Sequence, residues 1–544
     1  MGRFVGLLLA VVAGIGLKAG AEQGRYFAKT RYEPHPLPVF ETTKNKLPSP
    51  IFDEDESYVT CYWKAWEIAF KNFHEPAPDS GFVSQFIDAA FNENIFLWDT
   101  CFLTMFCNYG HPHVPGIRSL DNFYAKQYDD GEICREINRT TGRDFTPWVN
   151  AESAPLFSRW GFDLHAGQKQ SNIEYRGRPA PKPNPVLTLD ALNHPIFAWA
   201  ELESYRITGD IERLKMVWEP LVLYYGALQK YIRQGNGLYM TDWASMDNSA
   251  RNPGLAGGGT AIDASSEMVL FARNLAEIGR EIGKAKQAEK FDKGADELAG
   301  TINAKMWDPE KRFYYDLNLN EDRIGVKTIA GFWTLLAGVA SHEQAEALVA
   351  ELENPRTFKT LHRVPTLAAD EKSFSPTGDY WCGASWAPTN VMVVRGLERY
   401  GYTDLAREIA LNHLDNVVEV FKQTGTIWEN YAPQKVAPGQ PAKREFVGWS
   451  GIAPIALLLE YKIGLRPDAT NNTLAWRIAS DKRLGVERYR FAGKTVSLVC
   501  SAAGNSANRK VRVSSNAPFR LVLILNGTTR EIEIREDEPI DIEL

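Results

Sequence analysis

The residues best suited to chemistry are two carboxylates, each set among aromatic side chains and far apart along the chain. Asp247 stands in Leu238 to Arg251, reading LYMTDWASMDNSAR. Glu429 stands in Gly425 to Pro433, reading GTIWENYAP, between Trp428 and Tyr431. Asp247 lies outside any apolar run, so it need not be an accident of core packing. Trp243 and Met246 beside it can exclude water, which raises a carboxyl pKa and keeps the group protonated. An Asp-Asn-Ser run is also ordinary turn or helix-cap chemistry. The second carboxylate changes the balance. Glycosidic hydrolysis needs one carboxyl to give a proton and another to act on the far side of the sugar.

Two more stretches carry unusual residues. Asn92 to Phe102 reads NENIFLWDTCF and places Asp99 after Trp98, ahead of a helical segment where an Asp can also serve as a cap. Gly378 to Asn390 reads GDYWCGASWAPTN. It is dense in aromatics, and Gly383 allows a ligand to approach the backbone closely. Phe446 to Ser450 adds FVGWS after Glu429.

The elements that must hold these stretches are helical. From Tyr58 to about Leu465, apolar residues recur at three- and four-residue steps in segments of ten to twenty residues. The clearest pair is Leu192 to Thr208 and Ile211 to Arg233, with Gly209-Asp210 as stop and cap. Further segments are Ile262 to Ile282, Ala288 to Met306, Lys327 to Val339, Ala384 to Tyr400, Asp404 to Phe421 and Gly448 to Ile463. Ser341 caps a helix to Leu352. The count is about a dozen helices with little strand between them. Short turns at one end and long loops at the other fit a mainly α fold that can close into a toroid, with the long loops gathered over one mouth; a solenoid of paired helices is the alternative, against which the irregular loops argue. After Pro467 short β-rich runs are split by Gly and Asn, with Asn526-Gly527 as a hairpin turn. They predict a small C-terminal β-sandwich. The expected organisation is a signal peptide over 1–21, an extended segment over 22–56, the catalytic toroid over 57–466 and the sandwich over 467–544.

Composition bounds the function. The chain has 544 residues, a net charge of −7 and 15 Trp. That charge leaves no electrostatic footprint for nucleic acid. Trp and Tyr stack on sugar faces but also fill large helical cores. Arg3, an apolar run over Val5 to Leu17 and the small residues Ala19-Gly20-Ala21 read as an export signal. No later stretch is long enough to span a membrane. The expected location is therefore periplasmic or secreted. The six cysteines form no CxxC or Cys/His cluster, so no structural zinc site is expected. Asp316, Asn318, Asn320 and Asp322 alternate like an EF-hand loop, but Glu321 replaces the Gly and Lys327 the Glu. The reading is a turn, with calcium binding the alternative that these residues do not support, and no cofactor is expected.

At its four unusual places the sequence resembles the clan of (α/α)6 glycoside hydrolases that includes trehalases and the family 63 glucosidases. Trp98-Asp99 matches their early Trp-Asp. Met246 to Arg251 matches a Met-Asp-Asn-Ser/Ala-x-Arg run carrying the general acid. Tyr380 to Pro388 matches Tyr-Trp-x-Gly-x-x-Trp-x-Pro. Glu429-Asn430-Tyr431 matches the Glu-x-Tyr of the general base, and Gly448 to Ser450 a Gly-Trp-Ser. The trehalase PGGRF run is absent, and Gly378-Asp379-Tyr380-Trp381 stands where trehalases have QWD.

The resemblance implies an inverting glycosidase acting on an α-linked glucoside or related α-glycoside, an oligosaccharide or a small one. Asp247 is the implied acid and Glu429 the implied base. Asp99 is expected to accept sugar hydroxyls, and Trp98, Trp381 and Trp386 to wall the site. Phe96, Asn193, Trp243, Tyr380, Gly383, Tyr431 and Trp449 complete the expected substrate-binding set. Arg251 is expected on a sugar hydroxyl, because a cation close to Asp247 would lower the acid's pKa. The alternatives are a trehalase, a phosphorylase with a phosphate pocket, and an inactive glycan-binding protein.

Overall fold

The computed structural model describes residues 31–127, 131, 133, 135–142, 195–240, 246–255, 259–503, 509–525 and 527–543. The expected export signal, Asn193, Trp243 and Asn526 lie outside these residues.

The described chain is mainly helical up to Ile463, and its helices begin and end where local chemistry dictates. Helix α1 (Glu56–Phe70) is capped by Asp55, which accepts the Ser57 N–H at 2.9 Å. Helix α2 (Leu97–Cys107) is buried along almost its whole length. Helix α3 (Phe197–Thr208) stops at Gly209, φ 72°, and Asp210 accepts the Arg213 N–H to start α4 (Ile211–Tyr231). Helices α5 (Ile262–Glu281) and α6 (Ala285–Lys305) form a hairpin-like pair joined through Gly283. Helix α7 (His342–Leu352) opens on a capping box in which Ser341 and Gln344 bond each other's backbone. Helices α8 (Ala387–Arg399) and α9 (Thr403–Thr424) follow, and Gly425 at φ 69° ends the latter. The last helical stretch, Ala453–Ile463, is a wide π-type turn series, buried almost throughout.

The segment Lys327 to Val339 is not one helix. It is a 3₁₀ turn, Ile329–Phe332, followed by the short helix Trp333–Leu336. Tight packing accompanies the break. A Cβ on Gly396 of α8 would stand 2.8 Å from the Leu335 Cβ.

Beyond Ile463 the chain forms two sheets. Strands are β1 (Ser49–Phe52), β2 (Leu465–Asp468), β3 (Thr473–Ile478), β4 (Leu484–Phe491), β5 (Lys494–Cys500), β6 (Lys510–Ser515), β7 (Phe519–Leu525), β8 (Thr528–Ile534) and β9 (Ile540–Glu543). One sheet has the order β1-β4-β5-β6-β9, the other β8-β7-β3-β2. Strand β1 comes from the Pro-rich N-terminal segment and pairs antiparallel with β4, Pro50 opposite Val486. Pro50 sits on this edge strand, where a missing N–H is tolerated. Among the described residues no helix is long and apolar enough to cross a membrane. Cys61, Cys101, Cys107, Cys382 and Cys500 are buried free thiols.

A buried histidine pair lies beneath the loop that carries Glu429. His362 Nε2 and His413 Nδ1 are 2.6 Å apart, and both rings pack on Tyr431. One nitrogen must donate and the other accept, so a second proton would set N–H against N–H. Burial pushes His413 down to about 3; burial, and then His413, push His362 well below its usual range. The unfolded chain takes up protons below about pH 6.5 while the folded pair does not. Stability is therefore complete above that pH and falls by about 1.4 kcal/mol per pH unit for each histidine as acid is added. Urea unfolding between pH 4.5 and 7 measures this. The expected slope flattens in His413→Gln; an unchanged slope would remove the pair as its source.

Candidate active site

Four tryptophans from the three aromatic-rich stretches close into a ring. Trp98 and Trp381 have centroids 6.3 Å apart, Trp381 and Trp386 stack at 4.7 Å, Trp386 and Trp449 stand at 5.6 Å, and Trp449 returns to Trp98 at 6.0 Å. Edge-to-face and stacked pairs of this kind fix one another's orientation. The cluster gathers α2, the 378–390 turn and the 446–450 turn at one place.

Glu429 is attached to this cluster through its backbone and its side chain. Its carbonyl accepts from Trp449 Nε1 at 3.0 Å and from Ser450 Oγ at 3.2 Å. Its carboxylate accepts from the Tyr380 hydroxyl at 2.8 Å on one oxygen and from the Lys443 N–H at 2.9 Å on the other. Two donors suit an ionised carboxylate, which can only accept. Glu429 is 5% exposed.

Asp247 is tied to the same turn by its neighbour. Asn248 donates to the Asp379 carbonyl and accepts the Trp381 N–H, both at 2.9 Å. Cys382 Sγ reaches the Asn248 carbonyl at 3.1 Å. Asn252 donates to the carbonyls of Met246 and Asp247 at 2.8 and 3.2 Å. Asp379 and Tyr380 have φ of 41° and 61°. Tyrosine in the left-handed region is strained, and the surrounding bonds hold it there. That turn carries Asn248 on its backbone and Glu429 on its phenol, so it links the two carboxylate-bearing loops.

Asp99 lies in the first turn of α2, while the cap position is Phe96. Asp99 is half-buried, and the protein packed around its carboxyl pushes its pKa up to about 7. Its own backbone N–H and the Arg135 cation pull the other way, and Glu136 and Asp247 add to the rise. Asp99 and Asp247 thus lie close enough to repel each other. A carboxyl that titrates near neutrality among tryptophans can donate as well as accept.

Several expected substrate contacts are placed differently. Arg251 is fully buried, with no surface left for a sugar hydroxyl. It pairs with Asp263 and, at 3.0 Å, with Asp316. A buried guanidinium needs such partners, and the first turn of α5 supplies one. Asp316 also accepts the Ile262 N–H at 2.9 Å. It is thereby taken from the EF-hand-like loop, where Asn318 instead caps Asn320 and Asp322. Among the described residues no group of three or more His, Cys, Asp or Glu could hold a metal ion. Trp386 is 0% exposed and backs Trp381 instead of walling the site. Tyr431 is buried, its hydroxyl accepting the Trp428 N–H at 3.3 Å. Gly383 meets protein: a Cβ there would stand 2.8 Å from the Ser375 carbonyl. Trp98, Trp381 and Trp449 keep a small exposed edge, and Phe96 and Tyr380 are half-buried.

Lys443 and Phe91 carry no signal in the sequence. Lys443 supplies the N–H on Glu429, bonds Ala90 through Nζ and stands 5.7 Å over Phe91. Phe91 packs on Trp449 at 5.2 Å.

Comparison with known proteins bears on this arrangement. The chain is 28% identical over 368 residues to an uncharacterised protein of Borreliella burgdorferi, covering 64% of this chain and 77% of the other. It is 28% identical over 191 residues to the mannosylglycerate hydrolase of Rubrobacter radiotolerans, covering 35% of this chain and 41% of that enzyme. Its fold is similar to the GH63 mannosylglycerate hydrolase of Thermus thermophilus solved with Tris and D-glycerate, with TM-score 0.55, 19% identity, and 72% and 98% of the two chains covered. The family model of the mannosylglycerate hydrolase MGH1-like glycoside hydrolase domain matches residues 168–450, more than half of the chain. The chain therefore belongs to the MGH1-like glycoside hydrolase family, related to the trehalase and family 63 enzymes.

Proposed function

We propose that this protein hydrolyses an α-linked glucoside or related α-glycoside with inversion, in an (α/α)6 toroid spanning about residues 57–466. Asp247 is the general acid and protonates the leaving glycosidic oxygen. Glu429 is the general base and draws a proton from a water on the opposite face of the ring. Such a pair stands roughly 6.5–9.5 Å apart to admit that water. The observation that carries this reading is the Tyr380 turn. It fastens Glu429 through a phenol and the Asp247 loop through Asn248, so one rigid piece holds both carboxylate-bearing loops.

The remaining roles follow from chemistry. Glu429 with two donors is held as an acceptor for a water proton. Trp98, Trp381 and Trp449 present their exposed edges to a sugar face and exclude other water. Asp99 bonds sugar hydroxyls as donor or acceptor. The R. radiotolerans relative is named for a mannosylglycerate, which adds α-mannosides to the substrates to be tried. The N-terminal signal read from the sequence supports a periplasmic or secreted location, with residues 467–544 as an accessory sandwich.

The deciding experiment follows turnover of α-glucosides and α-mannosides by proton NMR in phosphate-free buffer. The β-anomer of the released sugar is expected first. An α-anomer would overturn inversion, and a requirement for phosphate would make the enzyme a phosphorylase.

A further inference from the structure

A cavity of about 850 Å³ opens at the other end of α2 from the catalytic carboxylates. Asp99 is in the first turn of α2, whereas His111 to Arg118 follow its last turn. An eleven-residue helix separates the two by on the order of 16 Å. The N-terminal segment Arg31 to Lys46 forms the facing wall.

The charges lining this cavity are mostly of one sign. Arg31, Lys46 and Arg118 all line it, and none makes an ion pair among the described residues. Arg213, by contrast, is paired with Asp121 and Glu201. The lining holds one carboxylate, Glu33. Burial, and then the cations Arg118, Arg490 and Arg213, push His111 down to about 4, against Asp210. His113 is lowered by burial and then by Arg490 and Lys46. Burial is the larger cause for both imidazoles, and the neighbouring cations add to it. Tyr32 and the prolines around His111 and Leu37 add flat apolar walls. Like cations around one space repel each other unless an anion comes between them.

We propose that this cavity is a binding site for a small organic polyanion, two or more carboxylate or phosphate groups on a sugar-sized frame, separate from the catalytic mouth. Its volume suits such a ligand. Arg31, Lys46 and Arg118 supply the charge, and Arg118 offers a planar fork for one anionic group. The inference stands apart from the glycosidase reading, because none of these residues touches Asp247 or Glu429.

The test is calorimetric titration of the full chain with citrate, with inorganic phosphate, and with neutral glucose as control, at low ionic strength. Saturable one-to-one binding of citrate is expected. The double variant Lys46→Ala, Arg118→Ala should weaken it at least tenfold. Both side chains are exposed, so folding is not at risk, and glycoside turnover should stay at the wild-type level. Absence of saturable binding by both anions would overturn the site. So would citrate binding undiminished in the double variant, or citrate displaced competitively by a glycoside substrate.

Discussion

Asp247→Asn and Glu429→Gln are each expected to lower kcat by about 10²–10⁴-fold, the range of a single general acid or base. Neither change alters shape much. The amide of Asp247→Asn has no proton to give, and that of Glu429→Gln cannot take one from water. Each group acts chiefly in the transition state, so kcat and kcat/KM should fall together while KM moves little. The two act in one step, so the double variant should lose far less than the product of the single losses. In Glu429→Gln the new amide can still accept from Tyr380 on its carbonyl, but its NH₂ would face the Lys443 N–H, donor against donor. A modest fall in unfolding midpoint is expected there and none at Asp247, which is only half-buried. Steady-state kinetics on an α-glycoside with an activated leaving group separates the two further. A good leaving group needs little protonation, so it should spare Asp247→Asn more than Glu429→Gln. Undiminished activity in both variants would remove the assignment.

Arg251→Met is expected to cost about 3–5 kcal/mol of stability, the scale seen when a buried charge loses its partner. The Arg251 guanidinium is fully enclosed between Asp263 and Asp316. Without it two carboxylates stay buried close together, and at least one must take up a proton or drag in water. Arg251→Lys keeps the charge but loses the forked geometry and should fall between. The triple variant Arg251→Met, Asp263→Asn, Asp316→Asn removes the unpaired charges and should recover much of the loss. Urea unfolding followed by far-UV circular dichroism reads all three. A wild-type midpoint in Arg251→Met would show that the ion pairs hold nothing. Activity should fall as well, because Arg251 anchors the turn on which Asp247 stands to the first turn of α5.

The sequence alone determined the helical periodicity, the caps at Asp210 and Ser341, and the residue types able to do glycosidic chemistry. These are local properties: spacing sets the buried face, and a cap needs only its own next turn. Local signals also failed in local ways. Strand β4 leaves a weak signal in the sequence because a bulge between Val486 and Tyr489, with Arg488 at φ 58°, breaks the alternation of buried residues. Strand β1 escaped because its partner β4 stands at the far end of the chain, Ser49 opposite Glu487. Only the tertiary structure decided which candidates face the site. Arg251, Trp386 and Tyr431 have the right types for a sugar, yet each is turned inward to satisfy a carboxylate, a stacked ring or a backbone N–H. The Tyr380 phenol and the Lys443 backbone met Glu429 instead. Side-chain direction depends on which partner folding brings alongside, and hydrogen bonds between loops far apart in the chain leave no trace in the spacing of either loop.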